Sequence, residues 1–459
     1  MTFLDKNSPT PLYLQIYETL ADDIAARAYE PGDRLPATRR LASELGVSRN
    51  TVVSAYEQLV SEGFVEGRKG SGYVVRDVDY LRAGAEEKGE ATTGPDEACD
   101  EMVYDFEHSR PDARQFPWKA WRDSMRRALD AIDAHGFSYR QDPQGMFELR
   151  NALARYLRRE ERLEASPDQI VVTCGHPYSI EVVATLFKGV FDLFATEDPA
   201  YDGTCDVLRE RGFGMETIPV ETDGVSTDRL GKLDSRLLCL TPRHHFLTGA
   251  RLSDEKHRRL VFWAQTRDAY LVEDCYTVDL PTPRLVFPPG ARERVIYLGT
   301  FSKTLSPGIR AAYVVLPEKL LDRYRDSYRT YDMQVPVANQ LAIADFMDSG
   351  AYGRHLRTMA TYNERRQNAL VEAIEASFGE KARLSGQRAG EHLLLDLDVP
   401  FGQAELVERA RRQGVRVYPT TRYYLDETRC PRSQVMLGFG SVPTESYPDA
   451  MRRLARAWL

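Results

Sequence analysis

Apolar residues recur at every fourth position near the start of the chain: Leu12, Ile16, Leu20 and Ile24. That spacing lays one stripe along an amphipathic helix, which Pro31-Gly32 is expected to close. Pro36 opens a short second helix carrying Leu41 and Leu45, and Gly46 breaks it. Ser48 is suited to cap a third helix, on which Val52, Tyr56, Leu59 and Val60 are expected to share a buried face before Gly63 stops the run. Two short strand-like pieces follow around a Gly67–Gly70 turn, the second being Tyr73 to Val75. Periodicity is then lost over residues 79–102, which are rich in Glu, Ala, Gly and Thr and read as a flexible or semi-extended linker. From 103 to 459 short apolar runs alternate with longer amphipathic stretches. Strands are predicted at Ile170–Thr173, Leu237–Leu240, Tyr270–Val272, Val295–Leu298 and Tyr313–Leu316, with helical patterns between them. This implies an α/β domain with a mostly parallel sheet and helices on both faces. Glu391–Val399, Val415–Tyr418, Val435–Phe439 and a closing helix read as a smaller α+β subdomain. The expected division is therefore 1–78, 79–102 and 103–459.

Composition changes this picture little. The chain has 459 residues, 42% hydrophobic and 28% charged, which suits two or three globular domains. A formal net charge of -8 gives no overall bias toward nucleic acid, so any DNA contact needs a local basic surface. Six scattered cysteines lack metal-ligand or redox spacing and point to reduced thiols in a cytoplasm. The N-terminus lacks a signal-peptide core. The most apolar stretch, Val182–Ala195, is interrupted by Lys188 and Asp192 and is too short to cross a bilayer, so no membrane partner is expected.

Two helices joined by Gly46 and followed by a hairpin form a winged helix-turn-helix. The third helix would enter the major groove with Ser48, Arg49, Asn50 and Thr51 at its leading end. Arginine suits guanine and asparagine suits adenine. Arg34 and Arg39 are candidates for phosphate contacts, and Lys69 and Gly70 at the wing tip for the minor groove. The runs Pro31-Gly32-Asp33-Arg34-Leu35-Pro36, Val47-Ser48-Arg49-Asn50-Thr51-Val52 and Ala55-Tyr56-Glu57-Gln58-Leu59 resemble the GntR family of bacterial repressors. That resemblance implies DNA contacts by Arg39, Arg49, Asn50, Thr51, Lys69 and Gly70, and a double-stranded operator as partner.

The second chemical signal is Lys303, in Gly299-Thr300-Phe301-Ser302-Lys303-Thr304-Leu305-Ser306-Pro307-Gly308-Ile309-Arg310. A lysine in a strand-to-loop setting suits a Schiff base with pyridoxal phosphate, with Thr300, Ser302 and Arg310 holding the phosphate. Such a cofactor needs a carboxylate at its ring nitrogen. Asp274 is the candidate and Glu273 the alternative, since spacing alone does not separate them. Tyr276 is placed for the 3′-oxygen, Tyr201 for stacking, and the Gly175-His176 start of a helix for backbone contacts to phosphate. Together with Tyr139-Arg140-Gln141-Asp142-Pro143-Gln144-Gly145 and Thr241-Pro242, these pieces resemble a fold type I aminotransferase. The fusion resembles the MocR subfamily of GntR regulators. The resemblance implies a homodimer in which Tyr139 reaches the neighbouring subunit's phosphate.

Several positions depart from that subfamily. Pro177 lacks an N–H at the helix start. Arg243, His245, Leu247 and Cys275 replace a serine, a glutamine, a proline and an acid. These changes are expected on the substrate side of the cofactor. No arginine precedes Leu437-Gly438-Phe439 to clamp a carboxylate, leaving Arg110, Arg422 or Arg432 as substitutes, with His245 as a packing or effector contact. His244, His245 and His257 lack partners at metal-ligand spacing, so no metal is expected. The pattern therefore points to a regulator sensing an amine, an amino-acid-like effector or the cofactor itself. The alternative is a working aminotransferase with an autoregulatory DNA module. Full transamination needs two substrates clamped in turn, so imine exchange or a half-reaction fits the altered pocket better.

Overall fold

The computed structural model describes residues 4–5, 8, 10–68, 72–77, 103–108, 112–132, 142–276, 288, 290–386 and 392–459. The chain forms two compact units that divide between Ala98 and Cys99. The 79–102 segment lies outside the described residues.

The first unit has helices α1 (Leu12–Ala25), α2 (Thr38–Leu45) and α3 (Arg49–Ser61), then an antiparallel hairpin of β1 (Val65–Arg68) and β2 (Gly72–Val75). Ile16, Leu20 and Ile24 of the expected stripe are buried against Val52, Ala55, Tyr56 and Leu59. Helix α1 stops at Ala25, before Pro31-Gly32, because Arg27 turns into the left-handed region at φ 57°. Val60 is 40% exposed and Ala55 takes the inner position instead, as the helical period requires after Val52 and Tyr56. Gly46 closes α2 at φ 63°, and the Ser48 hydroxyl caps α3 by accepting from the Thr51 amide at 3.1 Å. The Tyr56 hydroxyl donates to the Pro36 carbonyl at 2.8 Å, tying α3 to the entry of α2.

The second unit is built on an eight-stranded sheet. Its strands are β3 (Ile170–Thr173), β4 (Leu193–Asp198), β5 (Gly214–Glu221), β6 (Gly224–Val225), β7 (Leu237–Leu240), β8 (Tyr270–Asp274), β9 (Val295–Thr300) and β10 (Ala312–Val315). Their spatial order is β3-β10-β9-β8-β7-β4-β5-β6, and only β10 and the short β6 run against their neighbours. The central strands are buried on both faces, with separate apolar clusters above and below, as expected for a parallel sheet covered by helices. Helices α4 (His176–Phe187), α5 (Asp202–Glu210) and α6 (Asp254–Thr266) start after β3, after β4 and before β8 respectively. The apolar stretch Val182–Ala195 divides here: α4 ends at Phe187, Lys188 and Asp192 lie in the connection, and β4 begins at Leu193.

The long helix α7 (Ala351–Phe378) leads to a four-stranded sheet of β11 (Ala382–Ser385), β12 (His392–Leu397), β13 (Tyr418–Pro419) and β14 (Gln434–Gly438), ordered β11-β12-β14-β13. Leu393, Leu395, Val435 and Leu437 bury one face of it against the closing helix α8 (Tyr447–Trp458) and α7. This is the α+β portion expected from the alternating pattern near the C-terminus. Arg366 is buried in α7 and ties the portion together, reaching Asp112 at 3.0 Å and the Val442 carbonyl at 2.6 Å.

Candidate functional site

In the first unit, capping of α3 by Ser48 leaves Arg49 and Asn50 exposed at the leading end of that helix. The Ser48 and Thr51 hydroxyls lie 2.8 Å apart. Arg39, on α2, is also exposed. Arg34 is exposed and its backbone pairs with Val74 of the hairpin, fixing the hairpin to the turn before α2. Lys69 and Gly70 lie outside the described residues.

In the second unit, a cavity of about 320 Å³ opens at the carboxyl ends of the parallel strands, where ligands bind in open α/β sheets. Lys303 lines it from the turn that follows β9. Phe301 anchors that turn: its side chain is buried, its amide bonds to the Ala311 carbonyl, and its own carbonyl accepts from Leu305 and Ser306. Thr300, Ser302, Tyr276 and Tyr201 also line the cavity. The Tyr201 ring meets the His176 and Phe246 rings edge-on, at 5.6 and 5.2 Å between centroids. A Cβ at Gly203 would lie 2.7 Å from the Tyr201 ring, so glycine leaves the ring its place.

Gly175 and Arg310 form a second close approach. Gly175 has φ 137°, and a Cβ there would lie 2.5 Å from Arg310 Nη2. The guanidinium therefore sits against the residue that precedes α4, where helix-start amides and a cation together favour an anion. Pro177 removes one amide from that set.

The strand pleat separates the two acids after Val272. Asp274 lines the cavity, and His176 Nε2 lies 2.9 Å from its Oδ2. Glu273 is fully buried and bonds to His257 Nε2 at 2.7 Å, away from the cavity. Burial pulls the His176 imidazole downward, but the charge and hydrogen bond of Asp274 outweigh it and raise its pKa. Burial and the Lys303 charge hold His108 down at about 4. Burial, with His108 adding, holds His392 at about 3. Beneath the floor, burial pushes Glu197 up to about 7 even though it accepts from the Thr241 amide and hydroxyl at 2.8 and 2.6 Å.

The expected effector contacts are not all gathered here. Arg422 pairs with Asp202, beside Tyr201. Arg432 donates to the Pro400 carbonyl at 2.9 Å, and His245 is buried on the Pro199 carbonyl and the Thr248 hydroxyl. None of these three lines the cavity. Arg110 and Tyr139 lie outside the described residues. The departures at Arg243, His245, Leu247 and Cys275 also stand behind the cavity wall, which corrects their expected place on the substrate side. Arg243 forms an ion pair with buried Glu161, and Leu247 and Cys275 are buried. The lining residues that sequence reasoning missed are His108, Phe246 and His392. His108 and His392 come from opposite ends of the unit, and no local motif marks either one.

Comparison with known proteins agrees with both units. Residues 12–75 match the model for bacterial regulatory proteins of the gntR family, and residues 108–433 match aminotransferase class I and II. The uncharacterized HTH-type transcriptional regulator YdeL of Bacillus subtilis (strain 168) is 30% identical, over 99% of this chain and 98% of its own. The probable rhizopine catabolism regulatory protein MocR of Rhizobium meliloti is 28% identical, over 100% of this chain and 96% of its own. An archaeal alanine:glyoxylate aminotransferase superposes with a TM-score of 0.69 at 23% identity, covering 77% of this chain and 90% of its own, which shows the shared fold. With a gntR reader followed by an aminotransferase-like domain, and relatives of the same two-part build along its whole length, the chain belongs to the MocR subfamily of GntR-family transcriptional regulators.

Proposed function

We propose that this DNA-binding regulator carries pyridoxal phosphate on Lys303 and couples a small amine, or the cofactor itself, to operator binding, acting as a cytoplasmic homodimer. One observation supports the reading above all others: Lys303, Asp274, Tyr276, Tyr201 and Arg310 line one cavity at the carboxyl ends of the sheet. Each supplies a group the cofactor needs. Lys303 offers the amine that takes up the aldehyde. Asp274, with His176 bonded to it, holds a proton at the ring nitrogen. Tyr276 would offer its hydroxyl to the 3′-oxygen and Tyr201 would pack on the ring. Arg310, Thr300, Ser302 and the Gly175-His176 amides hold the phosphate, with Arg310 offsetting the amide lost at Pro177. When bound, the cofactor supplies an aldehyde carbon that exchanges one amine for another. The ligand alters DNA binding only if it has unequal affinity for two arrangements of the chain. Arg49 and Asn50, flanked by Ser48 and Thr51, read base edges. Arg34, Arg39, Lys69 and Gly70 grip the backbone and minor groove, with residues 79–102 as the linker.

The test is reduction of the chain with borohydride after incubation with excess pyridoxal phosphate, followed by peptide mass measurement. The expected result is a pyridoxyl adduct on the Lys303 peptide, lost in Lys303→Ala. An unmodified Lys303 under these conditions overturns the proposal.

A further inference from the structure

One part of the cavity wall is made of rings. His108, Phe246 and His392 line it, with Tyr418 and Tyr423 behind them. Phe246 lies 4.8 Å from Tyr423 and 6.0 Å from His392 between centroids, and His108 lies 6.2 Å from His392. Among the described residues Arg310 is the only guanidinium on the lining, and it sits against Gly175 at the start of α4. Arg422 is engaged by Asp202 and Arg432 by the Pro400 carbonyl. A carboxylate on the ligand would therefore meet imidazoles in place of a cation. Those imidazoles are neutral near pH 7, because burial and the Lys303 charge depress both, with His108 adding to the effect at His392. A buried anion without a charged partner is disfavoured.

A second ammonium is disfavoured too. Lys303 and Arg310 already line the space, and Asp274, the only carboxylate among the described lining residues, is engaged by His176. A flat apolar ring, in contrast, finds edge and face partners on this wall. His108 Nδ1 is buried without a hydrogen-bond partner among the described residues, which leaves one neutral polar contact for the ligand. At about 320 Å³ the cavity is near the small end of ligand pockets (roughly 300–1,000 Å³), so cofactor and effector together have to be compact.

Resting on the cofactor reading above, we infer that the effector is a small arylalkylamine: a primary amine with an uncharged aromatic tail and no carboxylate. The test titrates the full chain, loaded with pyridoxal phosphate, and follows its visible absorption band. The probes are matched pairs differing only in the carboxylate, 2-phenylethylamine against phenylalanine and tyramine against tyrosine, with 1,4-diaminobutane as the dication. Each aryl amine is expected to change the band at a concentration about tenfold or more below that of its amino acid and of the diamine. Equal or better response to the amino acids or the diamine, or no response to aryl amines, overturns the inference while leaving the cofactor reading standing. Absence of the band before any amine is added overturns both. A His108→Arg variant that keeps the band is expected to narrow the amine-to-amino-acid ratio by supplying a cation. An unchanged ratio counts against the inference.

Discussion

Gly175→Ala is the most direct test of the proposed phosphate cradle. The added methyl group would lie 2.5 Å from Arg310 Nη2 and 3.2 Å from its Cζ, where ordinary contact needs 3.4 Å or more. The guanidinium therefore has to retreat by roughly 1 Å, more than a short-range contact tolerates. The residue itself is at φ 137°, outside the region that side chains favour, which adds strain of about 1–3 kcal/mol. A hydrogen bond to a charged group contributes about 1.5–3 kcal/mol, so displacing Arg310 is expected to weaken pyridoxal phosphate binding by about 10- to 100-fold. Binding is read from the visible band during titration, with a melting curve on each variant. Gly189→Ala is the control for backbone strain alone, since Gly189 has φ 76° and nothing lies within 4 Å of its added Cβ. Arg310→Ala is expected to lose affinity to a similar degree. The double variant is expected to fall short of the sum by about 1–2 kcal/mol, because the methyl group then meets no guanidinium. A Gly175→Ala chain that binds within about twofold of the parent, or strict additivity in the double variant, refutes the argument.

Three further outcomes are expected. Arg49→Ala weakens operator binding by about 1–3 kcal/mol and relaxes preference at one base pair; equal loss on every sequence in a binding-site selection assigns Arg49 to phosphate instead. Asp274→Asn changes the cofactor band, whereas Glu273→Ala breaks the buried His257 pair and costs about 3–5 kcal/mol of stability in denaturant titration with the band position kept; the reverse pattern exchanges the two roles. Acid weakens the second unit: His108, His245 and His392 are held at about 4, 4 and 3, so their stability contribution is complete above 6.5 and lost as pH falls through those values. Glu197, raised to about 7, acts oppositely, contributing fully below 4.5 and losing its contribution as pH rises through 7. Three groups outweigh one, so the melting temperature is expected to fall between pH 6.5 and 4, and a flat profile contradicts the burial of these rings.

Features set by local sequence were legible in advance. The stripe Ile16, Leu20, Ile24, the Ser48 cap and the Gly46 stop each depend on neighbours within a few residues, and each is present. The Lys303 segment and the strand before it are local in the same sense. Val60 was misjudged because the expected face was drawn one position too wide; the helical period passes through Ala55. Strand β4 escaped notice because the end of α4 and the start of the strand form a nearly continuous apolar run, and periodicity does not separate them; β5 escaped because Glu216, Pro219 and Glu221 interrupt it and only Ile218 is buried.

The choice between Glu273 and Asp274 exposes the limit of spacing more sharply. Both follow the same apolar run, and the pleat guarantees that they point to opposite faces, but only a partner says which face is which. That partner is His257 on α6, and it claims Glu273. Arg243 follows the same logic: it looked like a cation added to the ligand side, yet buried Glu161 draws it behind the wall. His108 and His392 reverse the case, being unremarkable in sequence and brought to one cavity where the small sheet packs against the loop that follows β7. Cofactor chemistry is written in short motifs because its groups must leave from the ends of adjacent strands. Ligand preference is set by the residues between those motifs, whose neighbours are decided by the fold.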